Sequence, residues 1–119
     1  MPTEPGNHTP TMVPNAGGAP LNVPVYTLDD YLEQNEIDHV DLMKIDVEGF
    51  EPNVIKGATD SIKRGKIRAV LCEFNPAWLA ANQSSFASLY DLLTAAGFVP
   101  RYGKPDSQDT LQNILFTLA

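Results

Sequence analysis

Cysteine is nearly missing from this chain. Cys72 stands alone, so an internal disulfide framework is excluded. A lone thiol fits a reducing compartment, and with no signal-peptide pattern at the start the expected setting is cytoplasmic. Long apolar runs are missing too: none approaches the roughly 20 residues that a membrane-spanning helix needs. Cations are scarce, with 8 Lys and Arg against 15 Asp and Glu and a net charge of −7. That balance disfavours the phosphate backbone of nucleic acids and an anionic membrane surface alike. The two histidines, His8 and His39, have no partners at metal-ligand spacing and read as surface residues. No internal repeat is visible.

What is present suits one small domain: 119 residues, of which 43% are hydrophobic. The apolar residues are unevenly spread. Residues 1–22 carry Pro2, Pro5, Pro10, Pro14 and Pro20 with Gly6, Gly17 and Gly18, and too few apolar side chains to offset the entropy of ordering a backbone. They are expected to form a flexible arm or the remnant of a loop, leaving 23–119 as the folded part. Glycosylation-type triplets at Asn7 and Asn82 read as chance matches.

Past the arm, strand and helix patterns alternate. Residues 23–26 form an extended segment that Pro24 confines to an edge. Thr27 and Asp30 make a capping pattern before Leu28, Tyr31 and Leu32, for a helix ending near Asn35. A strand at 40–46 leads to a helix from Phe50 or Pro52, with Val54, Ile55, Ala58 and Ile62 on one face and Gly57 as a break. A second strand spans 67–74 and stops at Asn75-Pro76. Ser84 or Ser85 caps a helix carrying Phe86, Leu89, Tyr90, Leu93 and Ala96 at helical spacing, with Gly97 at its end. Two last strands, 98–102 and 113–118, flank a polar turn at 104–109 and are expected to pair antiparallel. The class is therefore α/β: half of a doubly wound sheet, with parallel βαβ units joined by right-handed crossovers and closed by an antiparallel pair. The nearly continuous apolar strands predict a sheet covered on both faces.

Chemistry concentrates in DLMKIDVEGFE at residues 41–51, where an apolar run ends in three acids around one glycine. Gly49 permits a tight turn or a close backbone approach, and Pro52 suits a first helical turn. Asp46, Glu48 and Glu51 thus gather at the carboxyl end of a strand, where open α/β sheets keep their ligands. Their plain reading is a solvated acidic turn favouring the next helix N-terminus, with Glu51 as cap or dipole partner. Glu73 ends the neighbouring strand and Asn75 follows. If the strands adjoin, Asp46, Glu73 and Asn75 converge as oxygen donors for a divalent metal; otherwise Glu73 binds backbone amides or a substrate directly. Lys44 shares the face of Asp46 and must find a carboxylate or carbonyl or else lose its charge; an acid at the strand end is the expected partner and a catalytic role the lesser reading. Cys72 reads as inert packing, and Trp78 either as a pocket wall or as an ordinary core or rim aromatic.

The 41–51 motif, with TLDDYL at 27–32, VIKGA at 54–58 and AVLCE at 69–73, resembles the FkbM family of methyltransferases in the right order over roughly residues 23–118. The resemblance implies an S-adenosylmethionine-dependent O-methyltransferase on a partial Rossmann-like, class I methyltransferase sheet, acting on a hydroxyl of a sugar, glycolipid or secondary metabolite. Their places at the strand ends, taken with this resemblance, make Asp46, Glu48 and Glu73 the expected catalytic residues, Asp46 and Val47 the expected donor contacts, and Glu51, Asn75 and Trp78 the expected acceptor contacts. A carboxylate beside the acceptor hydroxyl takes or orients its proton; Mg²⁺ on Asp46, Glu73 and Asn75 is the lesser reading. The family's opening strand and Gly-rich turn are not in this sequence, so the chain reads as the carboxyl-terminal half of the domain. Alone it is expected to bind the donor poorly, and the bare sheet edge beside Ile45 favours self-association. Two other readings stand beside this one: a non-catalytic α/β interaction module derived from the fold, and a hydrolase or transferase using the acids with a metal.

Overall fold

The computed structural model describes the backbone of residues 9–13 and 21–119, and side chains from residue 24 onward. Most of the arm expected at 1–22 lies outside the described residues, as do His8 and Asn7. Within it, Thr9–Val13 (β1) pairs antiparallel with Leu21–Val25 (β2). Pro10 faces Pro24, so the two residues that lack an N–H share one rung of the ladder.

Helix α1 spans Leu28–Gln34. Thr27 Oγ1 accepts the Asp30 amide at 3.1 Å, and Asn35 ends the helix by donating its side-chain amide to Tyr31 O at 2.8 Å. Both caps sit where the sequence puts them. The first short strand, Met43–Ile45 (β3), is followed by α2 (Glu51–Lys56), with Pro52 in its first turn. Gly57 does divide the helical segment, and α3 (Thr59–Lys63) follows it. Asp29 of α1 caps α3 across 31 residues: its carboxylate accepts Asp60 N at 3.0 Å and Ser61 N at 2.8 Å. The Asp29 amide in turn donates to Gly57 O at 3.0 Å. The α2–α3 break is thereby the docking point for α1.

Strand β4 (Ala69–Phe74) runs parallel to β3, pairing Lys44 with Leu71 and Ile45 with Cys72. After it come α4 (Pro76–Ala81), α5 (Phe86–Ala95), β5 (Phe98–Tyr102) and β6 (Gln112–Leu118). The sheet order is β3-β4-β6-β5, with β6 antiparallel to both neighbours. β6 takes the inner place because Ile114 and Phe116 are fully buried, whereas Arg101 and Tyr102 of β5 are exposed and Pro100 suits an edge.

The expectation of two covered faces does not hold among the described residues. Exposure alternates along β4: Val70, Cys72 and Phe74 are buried, while Ala69, Leu71 and Glu73 are not. Ile55 of α2, Ile62 of α3, Leu79 of α4 and Phe86, Leu89 and Leu93 of α5 join one core cluster on the Val70–Phe74 face, with Phe74 lying 4.5 Å from Phe86 and 6.1 Å from Phe116 between ring centres. The opposite face carries Lys44 and Glu73. A run of apolar letters therefore conceals a period-2 pattern, because Leu71 covers only part of its face.

Candidate functional site

The site is built where β3 turns into α2. After buried Ile45, residues 47–50 reverse the chain through a turn closed by Phe50 N donating to Val47 O at 3.2 Å. Its central residues both have positive φ, 53° at Glu48 and 97° at Gly49, which is the habit of the primed turn classes. Glycine tolerates this readily; a glutamate there is uncommon.

Glu51, the first residue of α2, fastens that turn. It is fully buried, and its two carboxylate oxygens accept Val47 N and Gly49 N, each at 2.9 Å. The α4 side closes the loop from outside: Asn82 donates its amide to Glu48 O at 3.2 Å and to Trp78 O at 2.9 Å. A Cβ on Gly49 would lie 2.7 Å from the Trp78 carbonyl carbon. Gly49 is thus both the tight turn and the close approach that its sequence position allowed.

Asp46, Glu51 and Glu73 each bring a carboxylate oxygen within 4.8 Å of the others. Burial first, then the charge and hydrogen bonding of Asp46, then Glu51, push Glu73 above the usual glutamate value, while Lys44 pulls the other way. Lys44 thus meets an acid near the strand end, although the two make no close ion pair. Glu51 is buried and already holds one backbone amide on each oxygen, so Asp46 and Glu73 are the members of the trio more open to a proton, a hydroxyl or a cation.

The other expected site residues stand outside the carboxylate trio. Glu48 is exposed in the turn, outside the carboxylate trio. Asn75, offered as metal or acceptor ligand, instead caps α4 by accepting Trp78 N at 3.1 Å. Trp78 is about half exposed, and what it contributes to the loop is its backbone. Val47 lines a hollow of about 710 Å³ with Tyr26, Leu28, Tyr31, Phe50 and Val54. Val25, Tyr31, Val47 and Phe50, four of the exposed large apolar side chains, all border that hollow. Cys72 is buried, and burial followed by the Glu51 and Glu73 charges drives its thiol far up, so it stays neutral.

Sequence reasoning missed Asn82 and helix α4. The signal for α4 was present, since Asn75-Pro76 is an N-cap followed by an N1 proline as well as a strand stop. Asn82 had no such signal, because its role depends on a turn 34 residues away.

Comparison with known proteins gives the site a context. The chain is 27% identical over 92 residues to a protein of Sinorhizobium fredii named 2-O-methyltransferase NoeI, covering 77% of this chain and 37% of that protein. It therefore spans well under half the length of the curated relative it matches. No solved structure matches it. The model of the methyltransferase FkbM domain matches residues 4–100, beginning inside the Pro- and Gly-rich stretch and taking in both β3 and β4 with the turn between Asp46 and Glu51. On that match the chain belongs to the FkbM methyltransferase domain family.

Proposed function

We propose that this chain carries the reactive carboxylates of an S-adenosylmethionine-dependent O-methyltransferase. The observation that carries the reading is the Asp46–Glu73 carboxyl pair at the carboxyl ends of two adjacent parallel strands, in a chain of the FkbM family. When bound, the donor supplies an electrophilic methyl group on a sulfonium. An acceptor hydroxyl that attacks it must shed its proton, and the oxygen must be held in line. Ionised Glu73 takes that proton, with a carboxylate oxygen of Asp46 within 4.8 Å to stabilise it. Neighbouring negative charge makes the protonated product of this step more favourable.

Val47, the residue after Asp46, and Phe50 present apolar surface to a hollow that neither Asp46 nor Glu73 lines, and that surface fits a planar base or the apolar body of a ligand. The donor's charged end needs convergent N–H groups, and among the described residues no Gly-rich turn offers them. We assign those contacts to the portion of the relative's length that this chain does not span. The acceptor is a hydroxyl of a sugar, glycolipid or secondary metabolite, and the Sinorhizobium relative, named a 2-O-methyltransferase, likewise takes an oxygen acceptor by its name. The setting is cytoplasmic, where buried Cys72 remains a thiol. The outer edge of β3, unpaired among the described residues, offers its backbone to another strand.

In a polypeptide that includes the donor-binding half, Glu73→Gln and Asp46→Asn should each slow transfer of a labelled methyl group by about 10²- to 10⁴-fold, with circular dichroism unchanged. Full rates in both variants would discard the pair and leave the non-catalytic interaction module as the reading.

A further inference from the structure

Glu51 is the one fully buried charged side chain among the described residues, and it reaches no cation. A glutamate so placed is costly unless its negative charge or its reach is used. Both are used here. Its two oxygens span the Val47 and Gly49 amides, which flank the left-handed Glu48. Those amides point inward only while the turn keeps its positive-φ shape, so the carboxylate selects that shape over the extended alternatives open to residues 46–49. The same carboxylate lies within 4.8 Å of Asp46 and Glu73.

We infer that Glu51 is a positioning residue for the proposed methyl transfer: its buried carboxylate, held by the Val47 and Gly49 amides, fixes the turn that follows Asp46 and supplies negative charge behind the Asp46–Glu73 pair that the β3–β4 register sets side by side. The inference rests on the function proposed above for Asp46 and Glu73, but its structural content does not. The charged groups around Glu73 are few and identifiable. Lys44 comes from β3, Asp46 from the turn and Glu51 from α2, while the residue opposite on β6 is the uncharged Asn113. Lys44 opposes the effect and the two acids favour it. Removing the Glu51 charge therefore leaves Glu73 with Asp46 as its sole acidic neighbour and with Lys44 unchanged.

Two variants separate reach from charge. Glu51→Gln keeps the length, removes the charge and turns an N–H toward one of the two amides. Glu51→Asp keeps the charge but is one methylene short of spanning both. In the unmodified 119-residue chain, amide hydrogen exchange read by NMR should show Val47 protected although the residue is exposed, with the buried Gly49 protected beside it. In E51D both amides should exchange about tenfold faster or more, as expected for a lost buried hydrogen bond, while the Glu73 carboxyl titration stays within reach of the parent's. In E51Q the Glu73 carboxyl, followed by its side-chain carbon shift, should titrate at lower pH. Unprotected Val47 and Gly49 amides in the parent chain would overturn the positioning role even if neither variant folds. A Glu73 titration unmoved in folded E51Q would overturn the electrostatic one. None of these readouts needs methyl transfer. Normal catalysis by Glu73→Gln in the longer polypeptide would sink the proposed function and leave Glu51's hold on the turn standing.

Discussion

Gly49 meets two demands that are independent of each other. Its φ of 97° excludes comfortable accommodation of any side chain, and the Trp78 backbone occupies the place a Cβ would take. Gly49→Ala should therefore cost more than about 2 kcal/mol, combining backbone strain with overpacking against a helix that cannot yield cheaply. Urea unfolding of the chain measures this; a change below about 0.5 kcal/mol, the usual spread of surface substitutions, would show that α4 moves aside. A glycine between two acids is legible in sequence as a turn. That it also receives the backbone of α4 is not, because α4 comes from 27 to 32 residues further along. Asp46, Glu73 and Glu51 were all legible as candidates by residue type and by their places at strand ends. Glu51's commitment to the Val47 and Gly49 amides, and Asn75's to the α4 N-terminus, required coordinates.

Among the elements, α3 shows how far a cap can lie from its helix in sequence. Ala58 stands at its N-cap and makes no side-chain hydrogen bond, so Asp29 of α1 does that work. Burial raises the Asp29 pKa, yet the Ser61 hydroxyl, the Ser61 and Asp60 amides and the Lys66 charge together outweigh it and leave the value lowered. A carboxylate with a depressed folded pKa stabilises the native state above its unfolded value of 3.8, and that contribution is lost as pH falls through the folded value. Asp29→Ala should cost about 0.5–2 kcal/mol at pH 7, and the gap to the parent should close in acid, as thermal unfolding between pH 2 and 7 on the order of one-unit steps would show. Helix α1 itself, with its Thr27 cap, is written in local sequence; its use as a clamp on α3 is not.

At the level of the whole molecule, one side of the sheet is sealed by helices and the other presents Lys44 and Glu73. Charge on that second side has a thermodynamic signature. Burial, Asp46 and Glu51 hold Glu73 above 4.5, so the native state binds its proton more tightly than the unfolded chain does. The group's contribution to stability then falls as pH rises from the unfolded value through the folded one. Glu73→Gln should make the protein more stable than the parent at neutral pH and equal to it well below pH 4.5, the reverse of the Asp29 case. Denaturant midpoints across that range test it, and a less stable variant at neutral pH would contradict the crowding of the three acids. Greater stability with slower methyl transfer would be the trade expected of a reactive group kept in an unfavourable place.

Local sequence by itself determined most of the element list, the caps at Thr27 and Ser85, the break at Gly57, the parallel β3–β4 pair and the antiparallel closing pair. It also determined the family, because short motifs in fixed order carry that information. These features depend on side-chain periodicity and on backbone preferences within a few residues. Tertiary structure alone decided that β6 enters between β4 and β5, that only one sheet face is covered, and which acids meet. Those outcomes depend on which apolar faces bury one another across long stretches of chain, and on backbone amides that compete for the same carboxylates. No spacing in the sequence encodes that competition, since Glu48 and Glu51 look alike until the turn between them is folded.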